Sequence, residues 1–155
     1  MSAGNGRFTL DTNILVYAID GAAGVRHEAA KEIVRRAARL DCLLTLQAIS
    51  EFYAVVTRKG MIAPAEAAAQ AVDWLSIFPC AAASAAAVRT ALGDAAAGRA
   101  SYWDALLVAT AAEAGCAVIL TENLADGANL AGVEIHNPFV AGGGLTKRTL
   151  QLLDL

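Results

Sequence analysis

Short apolar runs alternate along this chain with longer stretches of helical pattern, and most of the helices carry their own start or stop signal. Residues 7–10 read as a short buried strand, and Asn13 to Ile19 as helix. Val25 to Leu40 is a charged amphipathic helix with Ile33 and Val34 among its apolar positions. Cys42 to Thr45 reads as a second strand, and Ala48 to Lys59 as a helix stopped by Gly60. Pro64 suits a first helical position and starts a helix to about Ile77. Pro79 to Ala82 fits a short strand. Ser84 fits the N-cap of a helix through Ala95. Tyr102 to Ala114 reads as a helix ended by Gly115. Ala117 to Thr121 and Val133 to His136 read as further strands. Such alternation predicts an α/β fold with a mostly parallel sheet, in which sites form beyond the C-terminal ends of the strands.

A chain of 155 residues is most simply one domain with a sizeable core. With 57% hydrophobic and 17% charged residues it is no disordered chain. Cys42, Cys80 and Cys116 are scattered and odd in number, which argues against a disulfide framework or a zinc site. They read as small core residues in a reducing, cytoplasmic setting. Residues 1–6 do not resemble a signal peptide. Arg89 and Glu113 interrupt the most apolar regions, so no membrane span is expected. A net charge of −3 neither suggests nor excludes a nucleic-acid binder.

Three acids stand out against apolar surroundings: Asp11, Glu51 and Asp104, each near the start of a predicted element. Burying them is costly unless something pairs with them, and bringing them together raises their pKa values unless a cation neutralises them. Hard oxygen ligands suit Mg²⁺ or Mn²⁺. Each acid also has an ordinary structural reading. Asp11 could cap a helix, Ser101 and Asp104 fit a capping box, and Glu51 could sit in a first helical turn. Spacing alone does not bring the three together.

The segments that hold these acids resemble a known family. Phe8-Thr9-Leu10-Asp11-Thr12-Asn13-Ile14-Leu15-Val16-Tyr17 looks like the opening of a PIN domain, as found in VapC-type toxins of bacterial toxin–antitoxin pairs. Gln47-Ala48-Ile49-Ser50-Glu51-Phe52 resembles that family's second motif. Ser101-Tyr102-Trp103-Asp104-Ala105-Leu106-Leu107-Val108-Ala109 resembles the third, and residues 118–127 the fourth. The resemblance spans roughly residues 7–140 and implies a three-layer α/β/α sandwich. It also implies hydrolysis of RNA phosphodiesters with Mg²⁺ or Mn²⁺. Asp11 and Asp104 would be metal ligands. Glu51 would bind metal or orient the attacking water. Thr12, Asn13 and Thr121 would hold the carboxylates. Such proteins usually carry Asp where this chain has Asn123. The exchange removes a charge but leaves a carbonyl oxygen, and it weakens the case for a second ion. Glu122 and Asp126 are candidates to compensate.

The resemblance further implies an RNA substrate and a small antitoxin partner, and the chain's richness in apolar residues for its size suggests a homodimer. Lys31, Arg35 and Arg39 fall on one stripe of the second helix. A solvated helix face is the commoner reading of such a stripe, and beside it RNA contact and partner contact suit it equally. Arg36 is placed to pair with Glu32. Arg58 and Lys59, at a helix end near Glu51, suit RNA contact or surface charges favoured by the helix dipole equally. Tyr17, Tyr53, Tyr102 and Trp103 read as core residues rather than base-stacking platforms. Gly142-Gly143-Gly144 looks like a flexible joint. It divides a domain of residues 1–140 from a leucine-rich tail, 141–155, with Leu145, Leu150, Leu152, Leu153 and Leu155. That tail could cover a partner or fold back as a helix on its own domain. Two other function classes stay open. One is a catalytically weak RNA- or partner-binding module. The other is phosphotransfer through Asp11, disfavoured because its usual second Asp is replaced by Asn13.

Overall fold

Helices follow strands almost without loops, because the residue that ends a strand often caps the next helix. A computed structural model describes residues 6–155; the expectation about a signal peptide falls mainly on residues 1–5, outside the described residues. The chain runs through β1 (Phe8–Leu10), α1 (Thr12–Ile19), a 3-10 turn (Gly21–Ala23), α2 (Val25–Ala37), β2 (Cys42–Thr45) and α3 (Leu46–Arg58). It continues through α4 (Pro64–Ile77), β3 (Cys80–Ala81), α5 (Ala85–Ala96) and α6 (Tyr102–Glu113). Last come β4 (Val118–Leu120), β5 (Asn129–Leu130), β6 (Val133–His136) and α7 (Lys147–Leu152). Asp11 ends β1 and caps α1, and Thr45 ends β2 and caps α3 through Ala48 N–H. α3 therefore starts at Leu46, two residues earlier than expected, and Glu51 lies beyond its first turn.

The sheet order is β3-β2-β1-β4-β6-β5. All pairings are parallel except β5 with β6. From β1 the chain builds outward to β2 and β3, then returns to place β4 on the other side of β1. The crevice between the C-terminal ends of β1 and β4 is thus the switch point of the sheet, where open α/β sheets bind ligands.

Alternate strand residues feed two cores. Phe8, Leu10, Leu44, Val118 and Leu120 pack with Ile14, Ile33, Phe52 and Trp74 on one face. Leu43, Ile119 and Ile135 pack with Leu107, Val108 and Ala111 of α6 on the other. The result is a three-layer α/β/α sandwich with a mostly parallel sheet, as expected.

The segment after residue 140 takes one of its two expected forms, a helix folded back on its own domain, and departs from expectation at its glycines. Gly142-Gly143-Gly144 is a packed turn, not a loose joint: Gly143 N–H donates to Val140 and Val140 N–H to Gly144. Gly143 is buried at φ 94°, and a Cβ there would stand 3.3 Å from the Arg26 backbone nitrogen. Beyond it α7 folds back: Leu152 and Leu153 join the first core, while Leu155 stays exposed. Arg36 reaches across to donate to the Leu153 and Asp154 carbonyls. It therefore does not take Glu32, which instead binds Arg35 through both oxygens at 3.0 and 2.6 Å. Cys42 and Cys116 are buried as expected, but Cys80 is exposed, on the edge strand β3.

Candidate active site

The parallel register Leu10↔Leu120 sets the ends of β1 and β4 side by side, and Asp11 N–H donates to the Leu120 carbonyl. Asp11 is 8% exposed. Its Oδ1 accepts from Thr12 N–H at 2.7 Å, and its Oδ2 from the Thr121 hydroxyl at 2.7 Å. The Asn13 amide donates to both Asp11 Oδ2 and Thr121 Oγ1. Glu51 approaches from α3, where Thr12 Oγ1 donates to its Oε2 at 3.0 Å and Gln47 to its Oε1 at 3.2 Å. Asp104 enters from the opposite layer, in the first turn of α6, with Ser101 capping its backbone N–H.

These side chains open on one cleft of about 400 Å³ that Asp11, Glu51, Asp104 and Asn123 all line. Thr12, Asn13 and Thr121 hold the first two carboxylates, the role that the motif resemblance gave them. Burial raises the Asp11 pKa above the usual carboxylate value, and the charges of Asp104 and Glu51 raise it further. The hydrogen bonds from Thr121 and Thr12 oppose that rise. A cation in the cleft would relieve both the burial and the repulsion.

Among the described residues, no three His, Cys, Asp or Glu side chains are drawn together tightly enough to enclose a metal ion unaided. The donors present are carboxylates and one carboxamide, all hard oxygens. This set fits an ion such as Mg²⁺, which keeps several waters and takes only one or two carboxylates directly. It does not offer the dense acid cluster that a pair of ions needs.

The two candidate compensating acids are engaged elsewhere. Glu122 accepts from the Tyr17 hydroxyl and from Arg26, each at 2.9 Å. Asp126 accepts from Asn137 N–H at 2.8 Å. Neither lines the cleft. Lys31 pairs with Glu28 and Arg35 with Glu32, while Arg39 lies beyond the end of α2. None of the three lines the cleft either.

One charged residue there escaped the sequence reading: Asp20 caps the 3-10 turn through Ala22 N–H and also lines the cleft. Lys59, open in the sequence between RNA contact and a surface charge near Glu51, lines it too. The aromatic expectation fails at two positions. Trp103 is 59% and Tyr53 41% exposed.

An acid-lined cleft at the switch point of a three-layer, mostly parallel sheet is where open α/β folds bind ligands. The sequence matches the PIN domain family over residues 8–125, and the chain belongs to that family. Comparison with curated proteins returns no match. Among solved structures, the fold is similar to that of Mycobacterium tuberculosis VapC20, described as a sarcin-ricin loop cleaving toxin. Identity is 16% and the TM-score 0.59, over 75% of this chain and 91% of that one. It is also similar to VapBC2 from Rickettsia felis bound to a DNA fragment from their promoter. There identity is 17% and the TM-score 0.61, over 84% of this chain and 98% of that one. At such identities the likeness speaks for the fold.

Proposed function

We propose that the chain is a metal-dependent endoribonuclease and the toxin of a toxin–antitoxin pair. The observation that carries the reading is the convergence of Asp11, Glu51 and Asp104, from three separate elements, on one cleft at the sheet's switch point. A divalent ion bound there would polarise a phosphoryl oxygen and lower the pKa of bound water. Asp11 and Asp104 would hold the ion, Mg²⁺ or Mn²⁺. Glu51, held by Thr12 and Gln47, would bind the ion or orient the attacking water. Asn123 offers a neutral carbonyl at the same cleft, and Lys59 a cation for the phosphate.

The family and the two similar folds support RNA as substrate and a small protein antitoxin as partner. A basic side chain of the antitoxin inserted among the acids would block the cleft. Exposed Val72, Leu75 and Ile77 on α4 support a homodimer, as apolar surface for a second copy to cover. Among the described residues no helix is long and apolar enough to cross a membrane, and a cytoplasmic setting is part of the proposal.

The neutral Asn123 and the open acid set favour one second reading, an RNA- or partner-binding module with weak catalysis. Incubating the pure chain with RNA separates the two. Cleavage that needs Mg²⁺ or Mn²⁺, stops in chelator and is lost in Asp11→Asn supports the enzyme. RNA left intact under all metal conditions supports the module.

A further inference from the structure

The cleft holding the acids has a neighbour with different chemistry. Trp103 and Leu106 of α6 and Gln47, Ser50, Glu51 and Ala54 of α3 line a broad, shallow depression of about 500 Å³. Glu51 lines both clefts, so the two share a wall. The Gln47 amide ties that wall together. It donates to Glu51 Oε1 at 3.2 Å and to the Trp103 carbonyl at 2.9 Å. Trp103 also directly precedes Asp104 in the first turn of α6. Whatever lies over the acids is therefore adjacent to the indole.

The chain has two tryptophans, and they are used in opposite ways. Trp74 is 3% exposed and packs against Phe52, ring centres 4.7 Å apart. Trp103 is 59% exposed, and its ring neighbour is Tyr102 in a T-shaped contact at 5.0 Å. A large aromatic left mostly in water beside a cluster of acids adds little to the core of the folded chain beyond its contact with Tyr102. It suits a flat, apolar ligand surface.

We propose that Trp103 is the platform on which an unpaired RNA base stacks, one nucleotide from the phosphate held over the acids. The proposal rests on the ribonuclease reading above and deepens it. The depression contains no Lys or Arg, so it suits a base and not a phosphate. Ser50, exposed on the opposite wall, offers a hydroxyl to a base edge. Stacking on an aromatic ring tolerates any base, because each has a π face. A second copy of the chain is the poorer occupant. A two-fold contact centred there would bury the Glu51 of both subunits in one interface, like charge against like.

The test uses the full chain carrying Asp11→Asn, which stops cleavage, and a fluorescein-labelled single-stranded RNA of mixed sequence. Adding Trp103→Ala should weaken binding about tenfold, within the range of removing one stacked base. Trp103→Phe should keep most of the affinity. Unlabelled RNA should quench tryptophan emission in the Trp103 chain and leave the Trp74 signal of the Trp103→Phe chain unchanged. In the cleaving chain, Trp103→Ala should raise KM with little change in kcat. Equal RNA affinity with and without the indole overturns the platform and leaves the ribonuclease reading intact. Unchanged affinity together with a shift from dimer to monomer in Trp103→Ala assigns the depression to a second copy. RNA neither bound nor cut by any chain, Trp103 intact, removes the ribonuclease reading and the platform with it.

Discussion

Asp11 carries an energetic cost that its role would reclaim. In the metal-free chain its raised pKa means that the ionised form is less favourable folded than unfolded. The sign follows from that direction. At every pH above its folded pKa the ionised carboxylate lowers stability. As pH falls through that pKa towards the ordinary value of 3.8, the cost fades. Asp11→Asn removes the charge and its repulsion with Asp104 and Glu51. It keeps an acceptor for Thr12 N–H and loses at most Oδ2, the acceptor that faces the Thr121 hydroxyl and the Asn13 amide. Melting in chelator at pH 7 should therefore show Asp11→Asn as more stable than the parent chain. The gap should narrow as pH is lowered into the range between the folded pKa and 3.8. A variant that melts lower at pH 7 would mean that the Thr121 hydrogen bond outweighs burial and repulsion. The sequence displayed the acid and its two flanking polar residues. Thr121 entered as a donor through the motif resemblance and not through its place beside Asp11, because the two residues meet only through the pairing of β1 with β4.

Among the elements, α6 and α7 make opposite points about what a sequence reveals. The start of α6 was legible: Ser101 caps the Asp104 N–H, as the capping-box spacing predicts. Ser101→Ala should cost about 1 kcal/mol. It should also lower activity, since the turn it secures holds both Trp103 and Asp104. A melting curve and a cleavage assay on one preparation check both, and unchanged values in both would show the cap to be dispensable. The tail was legible as leucine-rich, but its partner was not, because Leu152 and Leu153 find their core through a turn that reads as a flexible glycine run. Each of these leucines is worth about 2–5 kcal/mol when truncated to Ala. Losing both approaches the whole stability of a typical domain. A chain ended after Gly144 should thus fail to fold, while Leu155→Ala, on an exposed position, should melt within about 0.5 kcal/mol of the parent. A soluble, cooperatively melting truncated chain would show that α7 is an accessory. β5 escaped the sequence reading for another reason. Asn129 and Leu130 are exposed and carry no strand pattern, and they pair with β6 only because Ala131 and Gly132 adopt φ 53° and 84°. Alanine gives no hint of that conformation.

For the whole molecule, strand and helix order was readable from apolar periodicity and caps, whereas the side of β1 on which β4 inserts was not. That choice of neighbours helps bring Asp11, Glu51 and Asp104 to one cleft, and in the sequence only the motif resemblance points to it. It also explains why Asp20 went unread, since it has a sufficient local role as the cap of the 3-10 turn. The same long-range assembly makes the site a lever on global stability. Three carboxylates held near one another by the folded chain, and apart in the unfolded one, should bind a divalent cation only when folded. At a concentration a hundredfold above its dissociation constant, such an ion adds about 2.7 kcal/mol. For a chain of this size that is a rise in melting temperature of roughly 5–10 °C. Mg²⁺ or Mn²⁺ should give this rise, and Na⁺ at equal ionic strength should not. Asp11→Asn should lose most of it. Asn123→Asp, which adds a charge at the cleft, should reach the same rise at lower metal concentration. Equal rises with Na⁺ and Mg²⁺ would mean that general screening, and no bound ion, relieves the acids. An Asn123→Asp chain indistinguishable from the parent would mean that position 123 stands outside the ion's reach.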